Sequence, residues 1–141
     1  EKDNPFFTII YGITNTKTGK SKIVRAGHPY PIYQNPEGLI DLFKSEGGAV
    51  GMFSELQAVE YEFTFKPGAR LYLYSEGIID SSFADMNKDS FFRLISFIEK
   101  HRDTPLQEFI AALEKDEQKW HSGPLTPGEI TMVVLEREEK P

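Results

Sequence analysis

Alternating apolar residues divide the first half of the chain into short strands. Residues 6–14 are apolar or β-branched on both faces, which predicts a strand that is covered on both sides. The Thr18-Gly19 pair is typical of a hairpin turn, and residues 21–25 are predicted to return antiparallel to the first strand. Residues 59–65 alternate Val, Tyr and Phe with Glu and Thr, which is the pattern of a half-buried strand.

Turn residues place two further strands in this half. A short hairpin is predicted around residues 35–38, Asn-Pro-Glu-Gly, with Ile32 and Tyr33 on one arm and Leu39 and Ile40 on the other. A Lys-Pro-Gly turn at residues 66–68 leads into residues 70–74, Arg-Leu-Tyr-Leu-Tyr, which we predict to be a buried strand.

Helical spacing appears only in the second half. Two segments carry apolar residues at positions i, i+3, i+4 and i+7, and so predict two amphipathic helices: Phe91, Leu94, Ile95 and Ile98, then Leu106, Phe109, Ile110 and Leu113. Thr104 and Gln107 predict a capping box at the start of the second helix. Residues 130–135 predict a final strand, so the fold class is α+β, with mainly antiparallel β-sheets and two consecutive helices.

Length and composition fit an ordinary globular domain. The 141 residues are 39% hydrophobic and 27% charged, and we expect them to form a single domain. The formal net charge of -6 argues against nucleic acid as a partner. No apolar run approaches the ~18 residues needed to cross a membrane, so no membrane association is expected. The absence of cysteine suits a cytoplasmic protein.

The candidate chemistry lies at the end of the buried strand 70–74. Glu76 follows that strand in the tripeptide Ser-Glu-Gly, so its carboxylate leaves a rigid element and can face a hard cation. Two further motifs accompany it: Ala-Gly-His-Pro at residues 26–29, and Gly-Glu-Ile-Thr at residues 128–131.

In this order and spacing, the three motifs resemble the C-terminal half of the SpoIIE-type, metal-dependent (type 2C) serine/threonine phosphatases. That family usually reads Ala-Gly-His-Pro, then Thr-Asp-Gly, then Asp-Asp-Ile-Thr. The resemblance covers residues 6–135. It implies part of an α-β-β-α sandwich, and it implies that residues 1–141 are a single-domain fragment without the family's N-terminal motif segment.

The resemblance also implies two Mn²⁺ or Mg²⁺ ions, which would generate a hydroxide nucleophile for phosphate ester hydrolysis. It places metal ligands at Glu76, Gly77 and Glu129. Two motifs depart from the family pattern, because Glu76 stands for Asp and Gly128 replaces the expected Asp. The extra methylene of Glu76 moves its carboxylate about 1.5 Å outward, a large shift for a site that needs ~0.5 Å precision.

Three functional hypotheses follow. The chain is part of a phosphatase that acts on a phosphoprotein regulator of the anti-sigma-antagonist type in bacterial partner switching, and it is inactive or impaired alone. Alternatively, it is a degenerate pseudophosphatase that serves as a protein-binding module. A weaker alternative is a homodimer, in which a second copy covers the strand edges of a half sandwich. His28 is interpreted as structural, with its ring bonded to nearby backbone.

Overall fold

The computed structural model describes residues 5–44, 47–56, 58–78, 87–117 and 130–139. The chain divides into two compact units, residues 1–71 with 135–141 and residues 72–134. The strands are β1 (Ile9–Thr14), β2 (Lys20–Ala26), β3 (Ile32–Gln34), β4 (Ile40–Leu42), β5 (Val59–Thr64), β6 (Arg70–Tyr74) and β7 (Met132–Glu136), and the helices are α1 (Asn87–Lys100) and α2 (Leu106–Glu117). The predicted α+β class is confirmed, whereas the single-domain fragment 1–141 stays a prediction.

Strands β1, β2 and β5 form a three-stranded antiparallel sheet in the first unit. The β1–β2 turn is closed by Asn15, whose side-chain Oδ1 accepts hydrogen bonds from the amides of Lys17 (3.0 Å) and Thr18 (3.1 Å). Gly19 ends the turn with a φ of +78°, a conformation that favours glycine. The hairpin predicted from the Thr18-Gly19 pair is therefore confirmed.

The outer face of this sheet differs from the sequence prediction. Cross-strand partners in an antiparallel pair point to the same face, so Tyr11 lies beside Val24, and Ile13 lies beside Lys22. Tyr11 is 66% exposed and Ile13 is 62% exposed. The prediction that the first strand is covered on both sides is therefore wrong for the described part of the chain. The strand also starts at Ile9, because residues 5–8 contribute only an isolated bridge.

The second sheet has the strand order β4-β3-β6-β7. In this sheet, β3 and β4 pair antiparallel and form the predicted hairpin. Tyr33 on β3 is buried in the core of the first unit. The Tyr33 ring packs edge-on against Phe63 of β5 at 5.4 Å between centroids, and Phe43 and Phe65 complete the aromatic cluster. The Tyr33 hydroxyl donates to the Thr64 carbonyl (3.1 Å) and accepts from the Lys66 amide (3.2 Å).

Arg137, just after β7, ties three segments of the first unit together. Its guanidinium donates to the carbonyl of Phe65 (2.6 Å) and to that of Lys17 (3.1 Å). The Arg137 amide also bonds the Ala69 carbonyl, at 3.1 Å. The end of the last strand is thereby fixed to the β1–β2 turn and to the β5–β6 connection.

The second unit places the two helices around an aromatic core. Phe109 of α2 is fully buried, and its ring lies 5.5 Å from that of Tyr72 and 5.3 Å from that of Phe97. Leu94 and Ile98 are also fully buried, as the helical spacing predicts. The contacts of α1 include the short 3-10 helix Glu76–Ile78, which follows β6 directly.

Candidate metal-binding site

The loop that carries Glu76 is anchored on both sides by buried residues. Before it, Tyr72 and Tyr74 of β6 are 0% and 3% exposed, and after it Ile78 is 1% exposed. Glu76 itself is exposed, at the first position of the 3-10 helix. Glu76 is therefore an exposed residue just after a buried strand, and its predicted contact with a cation stays a prediction.

A pair of hydrogen bonds joins this loop to the segment that enters β7. The Ser75 amide donates to the Thr131 carbonyl at 2.9 Å, and the Thr131 amide donates to the Ser75 Oγ at 2.8 Å. Thr131 belongs to the third of the three sequence motifs, and Ser75 belongs to the second. The structure thus brings the described ends of these two motifs together within the second unit.

The sequence reasoning did not find this pair. A hydrogen bond between a serine hydroxyl and a backbone amide 56 residues away leaves no local pattern in the sequence. The one available signal was chemical: a hydroxyl residue stands at the position before Glu76, where the resembled motif has Thr. That signal alone names no partner.

The potential ligands around Glu76 are of the type that a hard cation binds, because Mg²⁺ and Mn²⁺ prefer carboxylate and backbone carbonyl oxygens. Among the residues that the structure describes, no three acidic or histidine side chains cluster closely enough to hold a metal ion. Gly128 and Glu129 lie outside the described residues. The assignment of Glu76, Gly77 and Glu129 as ligands therefore stays a prediction.

His28 is held by its own neighbourhood in the first unit. Its carbonyl accepts a hydrogen bond from the Arg25 guanidinium, and its Nδ1 lies 3.5 Å from the Pro29 carbonyl. The same guanidinium lies over the Tyr30 ring, 4.7 Å from its centroid, so the arginine packs as well as bonds. These contacts agree with the structural interpretation of His28.

Comparison with known families identifies the family of this chain. The sequence profile of the family described as "Stage II sporulation protein E (SpoIIE)" matches residues 1–138. The chain belongs to the SpoIIE family. One related protein is the phosphoserine phosphatase RsbP of Bacillus subtilis (strain 168), which is 22% identical over 125 residues, covering 86% of this chain and 29% of RsbP.

Solved structures show the same fold. A structure of the PP2C phosphatase domain with a fragment of the regulatory domain of Bacillus subtilis SpoIIE superposes with a TM-score of 0.75 at 14% identity, over 99% of this chain and 41% of that one. The SpoIIE phosphatase domain presoaked with Mn superposes with a TM-score of 0.72 at 14% identity, over 95% and 58%. The chain thus spans little more than half of these relatives at most, and it has the fold of part of a PP2C phosphatase domain.

Across the described ranges, no helix is both long enough and apolar enough to span a bilayer.

Proposed function

We propose that this chain is the C-terminal part of a protein serine/threonine phosphatase domain, and that the complete domain hydrolyses phosphate esters with Mn²⁺ or Mg²⁺. The observation that carries the proposal is the pair of hydrogen bonds between Ser75 and Thr131. Ser75 belongs to the second sequence motif and Thr131 to the third, so these bonds support a shared site for the two motifs.

In this proposal, Glu76 and Glu129 supply carboxylate oxygens to the metal, and Gly77 supplies its backbone carbonyl. A bound dication would lower the pKa of a coordinated water and neutralise charge on the phosphoryl oxygens. Among the described residues, no three acidic or histidine side chains cluster closely enough to hold a metal ion, and glycine stands at position 128, where the family has an acid. A dication held by so few charges binds weakly, so we expect this chain alone to be inactive or impaired.

The proposed substrate is a phosphorylated regulatory protein of the anti-sigma-antagonist type, dephosphorylated in the cytoplasm. The relationship to a protein named as a phosphoserine phosphatase supports this substrate class. The net charge of -6 is compatible with it, because the metal, not a basic surface, would attract the phosphoryl group.

A second candidate function is a pseudophosphatase that binds a partner protein without hydrolysis. The loss of a carboxylate at Gly128 favours it, since glycine cannot replace the acid at that position. The two candidates differ in metal affinity. The first predicts that the natural protein containing this chain binds Mn²⁺, and the second predicts no Mn²⁺ binding that calorimetry can detect.

The decisive experiment measures phosphate release by that natural protein from p-nitrophenyl phosphate and from a phosphoserine protein, in millimolar Mn²⁺. We expect Glu76→Gln to lower the rate about ten-fold or more, because it removes the charge but keeps the shape. Glu76→Asp should retain or raise the rate, since the shorter side chain restores the family's ligand. Glu114→Gln, an exposed glutamate on α2, is the matched control and should leave the rate unchanged.

A wild-type rate equal to the buffer blank would refute the phosphatase proposal. Equal rates for Glu76→Gln and Glu114→Gln would refute the role of Glu76. Tight Mn²⁺ binding would refute the pseudophosphatase candidate.

A further inference from the structure

In the candidate site, all three polar groups of Ser75 are hydrogen-bonded. Its amide donates to the Thr131 carbonyl at 2.9 Å, and its Oγ accepts from the Thr131 amide at 2.8 Å. Its own carbonyl accepts from the Ile78 amide at 3.2 Å, which closes the 3-10 helix. One residue therefore links the end of β6, the turn that carries Glu76 and the entry to β7.

These bonds act on Glu76 through the backbone. Two bonds of opposite direction between Ser75 and Thr131 fix both the spacing and the register of the two segments, as a bonded pair does in a sheet. The bond to Ile78, which is 1% exposed, fixes the other side of the turn to the core of the second unit. The backbone of Glu76 lies between these two anchors, which restrict the position from which its side chain extends.

We infer that Ser75 is a positioning residue, whose hydroxyl holds the Glu76 turn in register with the segment that enters β7. The backbone bond from the Ser75 amide does not depend on the side chain, whereas the bond from the Thr131 amide depends wholly on the hydroxyl. Threonine keeps a hydroxyl at Cβ and preserves this second bond; valine has the same shape as threonine and loses it. Only the predicted effect on metal affinity rests on the proposed function.

The test compares Ser75→Thr with Ser75→Val in the full chain, by amide hydrogen exchange and by Mn²⁺ calorimetry. In Ser75→Val the Thr131 amide should exchange about five-fold faster, the factor for one lost hydrogen bond of ordinary strength. Mn²⁺ affinity should fall about ten-fold, as for other residues that orient metal ligands. Ser75→Thr should leave both quantities near the wild-type values.

The matched control is Thr14→Val, which removes a hydroxyl that lies 2.9 Å from the Ser21 Oγ in the first unit. It should change neither the Thr131 exchange rate nor Mn²⁺ affinity. The same loss of Mn²⁺ affinity in Thr14→Val would show a general loss of stability and would overturn the inference.

Two results would overturn it directly. One is an unchanged Thr131 exchange rate in Ser75→Val. The other is faster exchange with unchanged Mn²⁺ affinity, which would make the hydroxyl structural only.

If the wild-type chain takes up no Mn²⁺, the metal part of the proposed function fails for this chain, and the NMR amide signals of Glu76 and Gly77 decide the inference. Chemical-shift changes that appear in Ser75→Val and are absent in Ser75→Thr would support the positioning role. Unmoved signals would overturn it.

Discussion

Removing the Tyr33 hydroxyl, by Tyr33→Phe, should lower the free energy of unfolding by about 1.5 kcal/mol. The substitution deletes one oxygen and keeps the ring, so the packing against Phe63 and the rest of the aromatic cluster is preserved. What is lost is a pair of hydrogen bonds, one donated to the Thr64 carbonyl at 3.1 Å and one accepted from the Lys66 amide at 3.2 Å. Both bonds come from a side chain that is buried in the core.

The magnitude reflects the lost hydrogen bonds, offset in part by water that solvates the freed backbone groups. Each bond contributes about 1 kcal/mol, and a buried group left without a partner costs about 1–3 kcal/mol. Thr64 and Lys66 are themselves exposed residues, so water can reach their backbone groups and recover part of the loss. The result lies between the loss of one bond and of two, which corresponds to a fall in melting temperature of about 5 °C for a chain of this size.

Urea unfolding followed by far-UV circular dichroism measures this difference, and the slope of the transition should not change. Tyr11→Phe is the control, because Tyr11 is 66% exposed and its hydroxyl should contribute less than about 0.5 kcal/mol. A Tyr33→Phe protein that unfolds at the wild-type midpoint would refute the reasoning. So would an equal loss in the two variants.

Three further predictions concern other parts of the first unit. Gly19→Ala should lower the free energy of unfolding by about 2 kcal/mol or more, because the φ of Gly19 is +78° and an added Cβ would lie 2.4 Å from a backbone carbonyl oxygen. Gly12→Ala is the control in the same urea assay. It should be nearly neutral, because an added Cβ there would have no contact closer than 3.4 Å. Glu136→Gln should lower the melting temperature by about 7 °C, the equivalent of ~2 kcal/mol, because the guanidinium of Arg70, 6% exposed and 2.5 Å from Glu136, would lose the charge of this partner. An unchanged melting temperature would contradict this. The Lys22 ammonium donates hydrogen bonds to the carboxylates of Glu62 and Glu60 on β5, which raises the pKa of Lys22 above its ordinary value of 10.5. The stabilisation of the fold by these bonds is complete below pH 10.5 and is lost as the pH rises through the higher folded value. Urea midpoints between pH 9 and 12 check this against Lys22→Gln, which should lack that part of the decline.

Local patterns predicted the secondary structure well where one face of an element is buried. The i, i+3, i+4, i+7 spacing places Leu94 and Phe109 in the core, and both are 0% exposed. The alternation in residues 59–65 likewise gives β5, from Val59 to Thr64. In these elements the period of the sequence equals the period of the structure, so no knowledge of distant partners is needed.

The pattern failed where burial depends on what lies opposite the strand. Tyr11 and Ile13 are apolar, yet their face of the sheet also carries Lys22 and its glutamate partners on β5. A single strand does not reveal the charge of its cross-strand neighbours, because register is set by the whole sheet. The same limit applies to the candidate site. The sequence pattern predicted Glu76 as a candidate ligand, but the hydrogen bond between Ser75 and Thr131 could be found only in the folded structure.

The guanidinium of Arg137 has a consequence for any shortened version of this protein. Its side chain occupies the space beside Gly19, where a Cβ would lie 2.1 Å from its Nη1. A protein that stops before Arg137 would leave the Phe65 and Lys17 carbonyls without these donors and open a gap beside the hairpin. We therefore expect proteases that trim the carboxyl terminus to stall at this residue while the fold persists, and unfolding to begin once they pass it.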